Sequence, residues 1–168
     1  MGYNPRRLAI GELYLGEERA RDAAYQFFKG LPYVEAVSSA EGTPIYGYSG
    51  NFINDETGNS LFSTRYCYYM REDYPALMGM IFKAGRRTGD EAVVNETFAE
   101  WMHWGNDVVG RTISTGGENF KVTGLLKDFQ IQTFTSEKKP FMAIGKKPFY
   151  GVVHLRLKEP FIDNLQKL

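Results

Sequence analysis

Apolar and polar positions change their spacing several times along the chain, and each change predicts an element. Leu8 to Leu15 has strand character, and from Gly16 the spacing turns helical, with Ala20, Ala23, Ala24, Phe27 and Phe28 on one apolar stripe. Gly30 ends that helix, Pro32 blocks its continuation and Val34 to Ser39 reads as a second strand, so the chain opens with a β-α-β unit. Glu17 and Arg21 attract four residues apart while Glu18 and Asp22 repel, so packing must hold this helix. Gly42 to Gly50 is rich in Gly, Pro and Tyr and marks a change of organisation. Phe62 to Met70 alternates as a strand with bulk on both faces. Asp73 can cap a short helix through Leu77, and Met80 to Lys83 predicts a strand running into a turn at Gly85.

The richest stretch runs from Val93 to Phe129. Val93 and Val94 end an apolar run, and Asn95 stands at a helix N-cap position, able to accept from the free N–H of Thr97 or Phe98. Phe98, Trp101 and Met102 share a helical face, and Gly105 supplies a positive-φ stop. Val108 to Ile113 then reads as a strand, Thr115 to Asn119 as a turn and Phe120 to Leu126 as the returning strand. Glu137 to Pro140 is a polar break, Phe141 to Ile144 a short strand and Tyr150 to Leu157 an alternating one. Pro160 stands near a helix start, with Phe161, Leu165 and Leu168 on its apolar face.

These elements imply an α+β fold of two subdomains. Residues 1–42 and 148–168 would build one from both chain ends, with β-α-β units in a ferredoxin-like arrangement truncated at the C-terminus. Residues 43–147 would form an inserted, mixed, sheet-rich subdomain. The closing unit lacks its last strand, as expected of a piece cut from a longer chain.

Composition narrows the function classes. The 168 residues are 43% hydrophobic, enough for a core, and 20 Lys plus Arg balance 20 Asp plus Glu. That balance gives no basic field to hold nucleic acid, which is excluded as a partner. No apolar run reaches the roughly 18 residues of a membrane helix, and the N-terminus has no signal-peptide pattern. Aromatic content is 15%, with 11 Tyr and 12 Phe, which suits sheet surfaces that are half buried and half wet.

Candidate chemistry is sparse. Cys67 is the only cysteine and reads as a small strand residue, and its spacing to His103 and His154 does not support a nucleophile and base pair. Asp107, Glu118 and Asp128 sit at predicted turns without calcium-loop spacing, and Gly116-Gly117 lacks the Lys-Ser/Thr ending of a phosphate loop. No catalytic, cofactor-binding or metal-ligating set emerges. Two groups fit contact with a partner or ligand: the Gly-flanked aromatics Tyr46, Tyr48 and Phe52, and the arginines Arg86, Arg87 and Arg111, which follow turn glycines.

Four segments in order carry a family resemblance: Gly2-Tyr3-Asn4-Pro5; Asp73-Tyr74 through Gly79 to Gly85-Arg86; Val94-Asn95-Glu96-Thr97 through Trp104 to Gly110; and Val122-Thr123-Gly124 through Lys127-Asp128-Phe129. The chain resembles the MacB-like periplasmic core domain of ABC transporter permeases, a group that includes macrolide-exporter-like, lipoprotein-release and FtsX-type permeases. The resemblance implies a non-catalytic domain outside the cell inner membrane, between the first and second membrane helices. It implies no cofactor in this domain, with ATP bound only on a separate cytoplasmic ATPase. Implied partners are the flanking membrane helices, that ATPase, a second permease chain, and a periplasmic adaptor, lipoprotein or cell-wall enzyme. The alternative is a soluble module that binds a peptide or lipid in a pocket lined by Tyr46, Tyr48 and Tyr66.

Overall fold

The opening β-α-β unit forms where its periodicity predicts it: β1 (Leu8–Leu13), α1 (Glu18–Gly30) and β2 (Val34–Ala40). They belong to a computed structural model that describes residues 2–47, 49–55, 57–86, 89–131, 137–145, 149 and 151–168. The later elements are β3 (Ser49–Asn54), β4 (Ser60–Met70), α2 (Tyr74–Met78), β5 (Phe82–Gly85), β6 (Ala92–Asn95) and α3 (Glu96–Trp101). They are followed by β7 (Thr112–Thr115), β8 (Glu118–Leu126), β9 (Phe141–Gly145), β10 (Gly151–Leu157) and α4 (Phe161–Leu165). The protein is a sheet-rich α+β fold.

One strand path organises it, in the order β1-β10-β2-β4-β3-β7-β8-β6-β9. β10 lies between β1 and β2 and is antiparallel to both, with His154 opposite Ile10 on one side and Ser38 on the other. Beyond β2 the path closes, because β4 pairs in parallel with β9 from Tyr66↔Phe141 to Met70↔Gly145. The strands β4-β3-β7-β8-β6-β9 thus make a barrel, with β5 added along β8. Among the described residues only the pair Ala40↔Met70 carries the ladder from β2 into it.

The described residues form three apolar clusters in this frame. The barrel interior takes Ile53, Cys67, Val94, Ile113, Val122, Met142 and Ile144, with Phe98 of α3 among them. The outer face of the same strands, including Met70, Val93, Phe141, Ala143 and, past the register shift in β8, Leu126, packs against Tyr74, Leu77 and Met78 of α2. Val153, Leu155 and Leu157 of β10 meet Ala24, Tyr25 and Phe28 of α1. The other parity of β10 turns toward α2, since His154 is edge-on to Tyr74 with ring centroids 4.9 Å apart. α2 therefore separates the β1-β10-β2 sheet from the barrel.

Several boundaries differ from the pattern, each for a local reason. The α1 stripe is split: Ala24 and Phe28 face the sheet, whereas Ala20 and Ala23 are exposed and Phe27 is 64% exposed. Met80 belongs to the turn after α2, where its N–H bonds Pro75 O at 2.9 Å, so the next strand starts at Phe82. β3 escapes detection because Gly50 and the turn-rich segment before it mask its alternation. α3 stops at Trp101, two residues ahead of His103, a non-glycine with φ 55°, so Gly105 is not its terminator. Val108 to Gly110 form a turn before β7, with Arg111 N–H on Val108 O at 3.3 Å, and only Thr112 onward is strand. The hairpin turn itself is as expected, at Gly116 and Gly117 with φ of 60° and 81°.

Candidate functional site

The four segments that read separately in the sequence meet at one joint, built around the N-terminal strap of residues 2–7. Asn4 N–H donates to Met78 O at the end of α2 at 2.7 Å. Gly2 lies so close to the chain at residues 128–129 that a Cβ there would come within 2.7 Å of Phe129 Cα. Tyr3 packs on the cluster that includes Phe129, Met78 and Phe141. From there Asp128 reaches α3: its carboxylate accepts from Thr97 N–H and from the Thr97 hydroxyl, each at 2.9 Å. Glu96 accepts the Asp128 N–H at 2.9 Å and pairs with Lys83 at 2.5 Å. Lys83 foremost, with the Asp128 N–H, holds the Glu96 carboxyl below its ordinary value.

Asn95 completes α3 as predicted and does more. Its Oδ1 accepts from Phe98 N–H at 3.0 Å and also from Phe141 N–H at 2.8 Å, while its Nδ2 donates to Lys139 O at 2.8 Å. Each of these three bonds goes to the main chain, and the residue is buried at 1% exposure.

On the sheet side of the joint, Arg156 of β10 is buried and donates to the carbonyls of Arg6, Asn4 and Leu77, the last two at 2.9 and 2.5 Å. Burial is the main influence on its guanidinium and lowers its pKa. Pattern reading passed over it; the available signal was an arginine inside a strand buried on both faces. Arg7 has φ 56°, donates to Leu157 O at 2.8 Å and pairs with Glu35 at 2.7 Å. Asp73 does not cap α2 with its side chain. Its carboxylate accepts from the Ser38 hydroxyl and from Tyr25 O–H at 3.0 Å, and Arg71 stands 3.4 Å away. Burial and then the Asp73 charge push the Tyr25 phenol up.

Of the candidate reactive groups, Asp128 belongs to this joint, and the others lie apart from it or inside the core. Cys67 is buried among the barrel residues, and burial pushes its thiol up to about 11. His154 is fully buried with Nδ1 3.0 Å from Val152 O, and His103 is exposed past the end of α3. Asp107 pairs with Arg111 at 3.1 Å, Glu118 begins β8, and Asp128 holds Thr97 and, at 3.2 Å, Lys138.

Of the suggested contact residues, Tyr46 lines a cleft of about 670 Å³ with Tyr14, Leu13, Leu15 and Val152, edged by Glu12, Arg21 and Glu41. Phe52 is elsewhere, 68% exposed on the outer side of β3 opposite Ser63. Tyr66 packs on the cluster around α2 instead of lining this cleft. Arg86 and Arg111 come to the same edge of β8: Arg111 O accepts Val122 N–H at 2.8 Å and Arg86 N–H donates to Thr123 O at 2.9 Å. Tyr48 and Arg87 lie outside the described residues.

The architecture has solved counterparts. The periplasmic region of MacB from Actinobacillus actinomycetemcomitans superimposes with a TM-score of 0.61 at 13% identity, covering 91% of this chain and 75% of that one. The extracellular domain of the noncanonic ABC-type transporter YknZ from Gram-positive bacteria gives 0.63 at 13% identity, covering 94% and 86%. A domain of a putative permease protein from Porphyromonas gingivalis gives 0.57 at 16% identity, covering 91% and 74%. At such identities the likeness is one of fold. No curated protein matches the chain. The family's sequence model matches residues 4–147, a span that holds most of the strap, α2, α3 and residues 128–129. The chain belongs to the MacB-like periplasmic core domain family.

Proposed function

We propose that this domain is a non-catalytic relay in an ABC transporter permease. It would stand on the periplasmic side of the inner membrane and pass ATP-driven motion of the membrane helices to cargo or to a partner protein. The observation that carries the reading is the convergence of the strap, α2, the start of α3 and residues 128–129 on one joint. A chain entering at Gly2 is thereby tied to the barrel through short, directional bonds, the kind of connection that transmits displacement without needing a chemical site. Membrane helices of the same permease, a cytoplasmic ATPase that binds the ATP, and a second permease chain are the partners this role requires. An adaptor, lipoprotein or cell-wall enzyme would receive the motion.

We further read residues 1–42 and 148–168 as one ferredoxin-like subdomain and residues 43–147 as the inserted one. The pairing of β10 between β1 and β2, and the closed path β4-β3-β7-β8-β6-β9, support this division. Among the described residues one ladder pair, Ala40↔Met70, joins the two sheets. Other ties run from the strap, α1, β2 and β10 to α2 and its flanks and to residues 128–129, so motion between the two bodies would pass through that joint. In a permease carrying this domain, its deletion is expected to leave basal ATP hydrolysis in place and abolish transport. Unchanged transport overturns the relay.

A second reading, a peptide- or lipid-binding module, is favoured by the cleft at Tyr14 and Tyr46, whose volume lies in the range of ligand sites. Saturable binding of a peptide or lipid, lost in Tyr46→Ala, would support it.

A further inference from the structure

We propose that Arg156 is a positioning residue that latches the N-terminal strap to α2, so that the joint is either seated or open with no graded states between. The inference rests on the relay reading and names the contact through which the strap would act. Two of the three carbonyls bound by the guanidinium, those of Asn4 and Arg6, belong to the strap, and the third, of Leu77, belongs to α2. One rigid, planar donor group therefore spans two elements that are 71 or more residues apart in sequence, the separation of Arg6 and Leu77.

The chemistry of the partners makes this a switch. An arginine buried against a carboxylate would stay compensated wherever the strap went. Here the nearby carboxylate, Glu35, pairs directly with Arg7 and acts on Arg156 only as a charge at a distance, with burial the larger influence. The direct hydrogen-bond partners of Arg156 are main-chain oxygens, two of which are in place only while the strap is seated. Lifting the strap removes two acceptors at once from a buried charge, which is costly unless water enters and the joint opens fully. Asn4 N–H on Met78 O and Leu157 N–H on Arg7 O tie the strap to the same two elements, α2 and β10, and with the Arg7–Glu35 pair and the packing of Gly2 on Phe129 they reinforce the seated state.

The test is hydrogen exchange followed by mass spectrometry on the whole permease, comparing the peptide over residues 2–7 with one over β8, for the natural protein, Arg156→Met and Arg156→Lys. Transport per ATP hydrolysed is measured on the same samples. Arg156→Met is expected to speed exchange in residues 2–7 about tenfold or more, the size expected for losing bonds to a charged donor, with β8 unchanged. Arg156→Lys, which keeps the charge without the planar fork, is expected to fall between. Should Arg156→Met fail to fold, the lysine variant carries the comparison. Unchanged exchange in residues 2–7, or an equal rise in β8, overturns the latch. An open strap with transport per ATP unchanged leaves the latch standing and overturns the relay reading beneath it.

Discussion

Glu96 and Asp128 exchange support across the start of α3: the Glu96 carboxylate accepts the main-chain N–H of Asp128, while the Asp128 carboxylate accepts the N–H and hydroxyl of Thr97 beside Glu96. The arrangement does for two distant segments what a capping box does within one helix. Asp128→Ala is expected to destabilise the domain by about 1–3 kcal/mol, since the Thr97 N–H and hydroxyl at a buried residue lose their acceptor. Asp128→Asn keeps an acceptor and is expected to cost less. Urea unfolding midpoints of the two variants check the order; equal midpoints would refute the reciprocal arrangement.

Asn95 ties three separate stretches together, and its replacement tests that role. Asn95→Ala leaves Phe98 N–H, Phe141 N–H and Lys139 O without their partner in a buried setting, a cost of roughly 2–4 kcal/mol. Asn95→Asp retains the acceptor for both N–H groups but sets a carboxylate against Lys139 O, so it is expected to be destabilised at pH 7 and partly recovered when protonated. Thermal unfolding at pH 7 and pH 5 distinguishes these outcomes.

How much of this was legible in the sequence depends on the range of the interaction. The cap at Asn95 reads from its neighbours because Phe98 is three residues away, whereas its bond to Phe141 spans 46 residues and leaves no periodic trace. The same holds for Asp73, whose place before a helix suggests a cap although its carboxylate turns to Ser38 and Tyr25. Ser38 and Tyr25 become neighbours of Asp73 only once α1 and β2 pack. The β4–β9 pairing that closes the barrel is parallel and distant, so alternation reveals both strands but not that they meet. Arg156 escaped because a charge in a strand reads as a surface position until both faces of β10 are seen to be covered.

Two glycines in positive-φ conformations separate backbone strain from lack of space. At Gly58, φ is 88° and an added Cβ meets nothing within 4 Å; at Gly85, φ is 61° and the Cβ would lie 2.1 Å from Thr123 O. Gly58→Ala is expected to cost only the conformational term, about 1 kcal/mol. Gly85→Ala must also push β5 off β8 and is expected to cost at least 2 kcal/mol more, as is usual for overpacking against main chain. Chemical denaturation of both variants measures the difference; similar costs would show that β5 yields freely.

Cys67 offers a probe of barrel opening. Burial pushes its thiol up to about 11 and leaves it no access to solvent, so at pH 8 alkylation by iodoacetamide is expected to run about a hundredfold or more slower than for a free thiol. Denaturant should restore the ordinary rate. Rapid labelling of the folded domain would contradict the placement of Cys67 inside the barrel.

His154 makes stability depend on pH in a defined window. Burial, opposed by the Val152 carbonyl, moves the imidazole from 6.5 down to about 4, and among the described residues its Nε2 has no hydrogen-bond partner to accept or share a proton. A lowered folded value means that the unfolded chain binds a proton before the folded one does. The stability due to a neutral His154 is therefore complete above about pH 6.5 and is lost progressively as pH falls toward 4, amounting to roughly 3 kcal/mol across the window. His154→Phe keeps an aromatic ring against Tyr74 and removes the titration. The natural chain should lose stability between pH 6.5 and 4.5 more steeply than the variant, with their difference shifting in favour of the variant as acid is added. The lowered Glu96 carboxyl also loses stabilisation in acid, but equally in both proteins, so it cancels from the comparison. Parallel curves from urea unfolding at several pH values would mean that His154 is protonated in the fold or reached by water, contrary to its burial beneath α2.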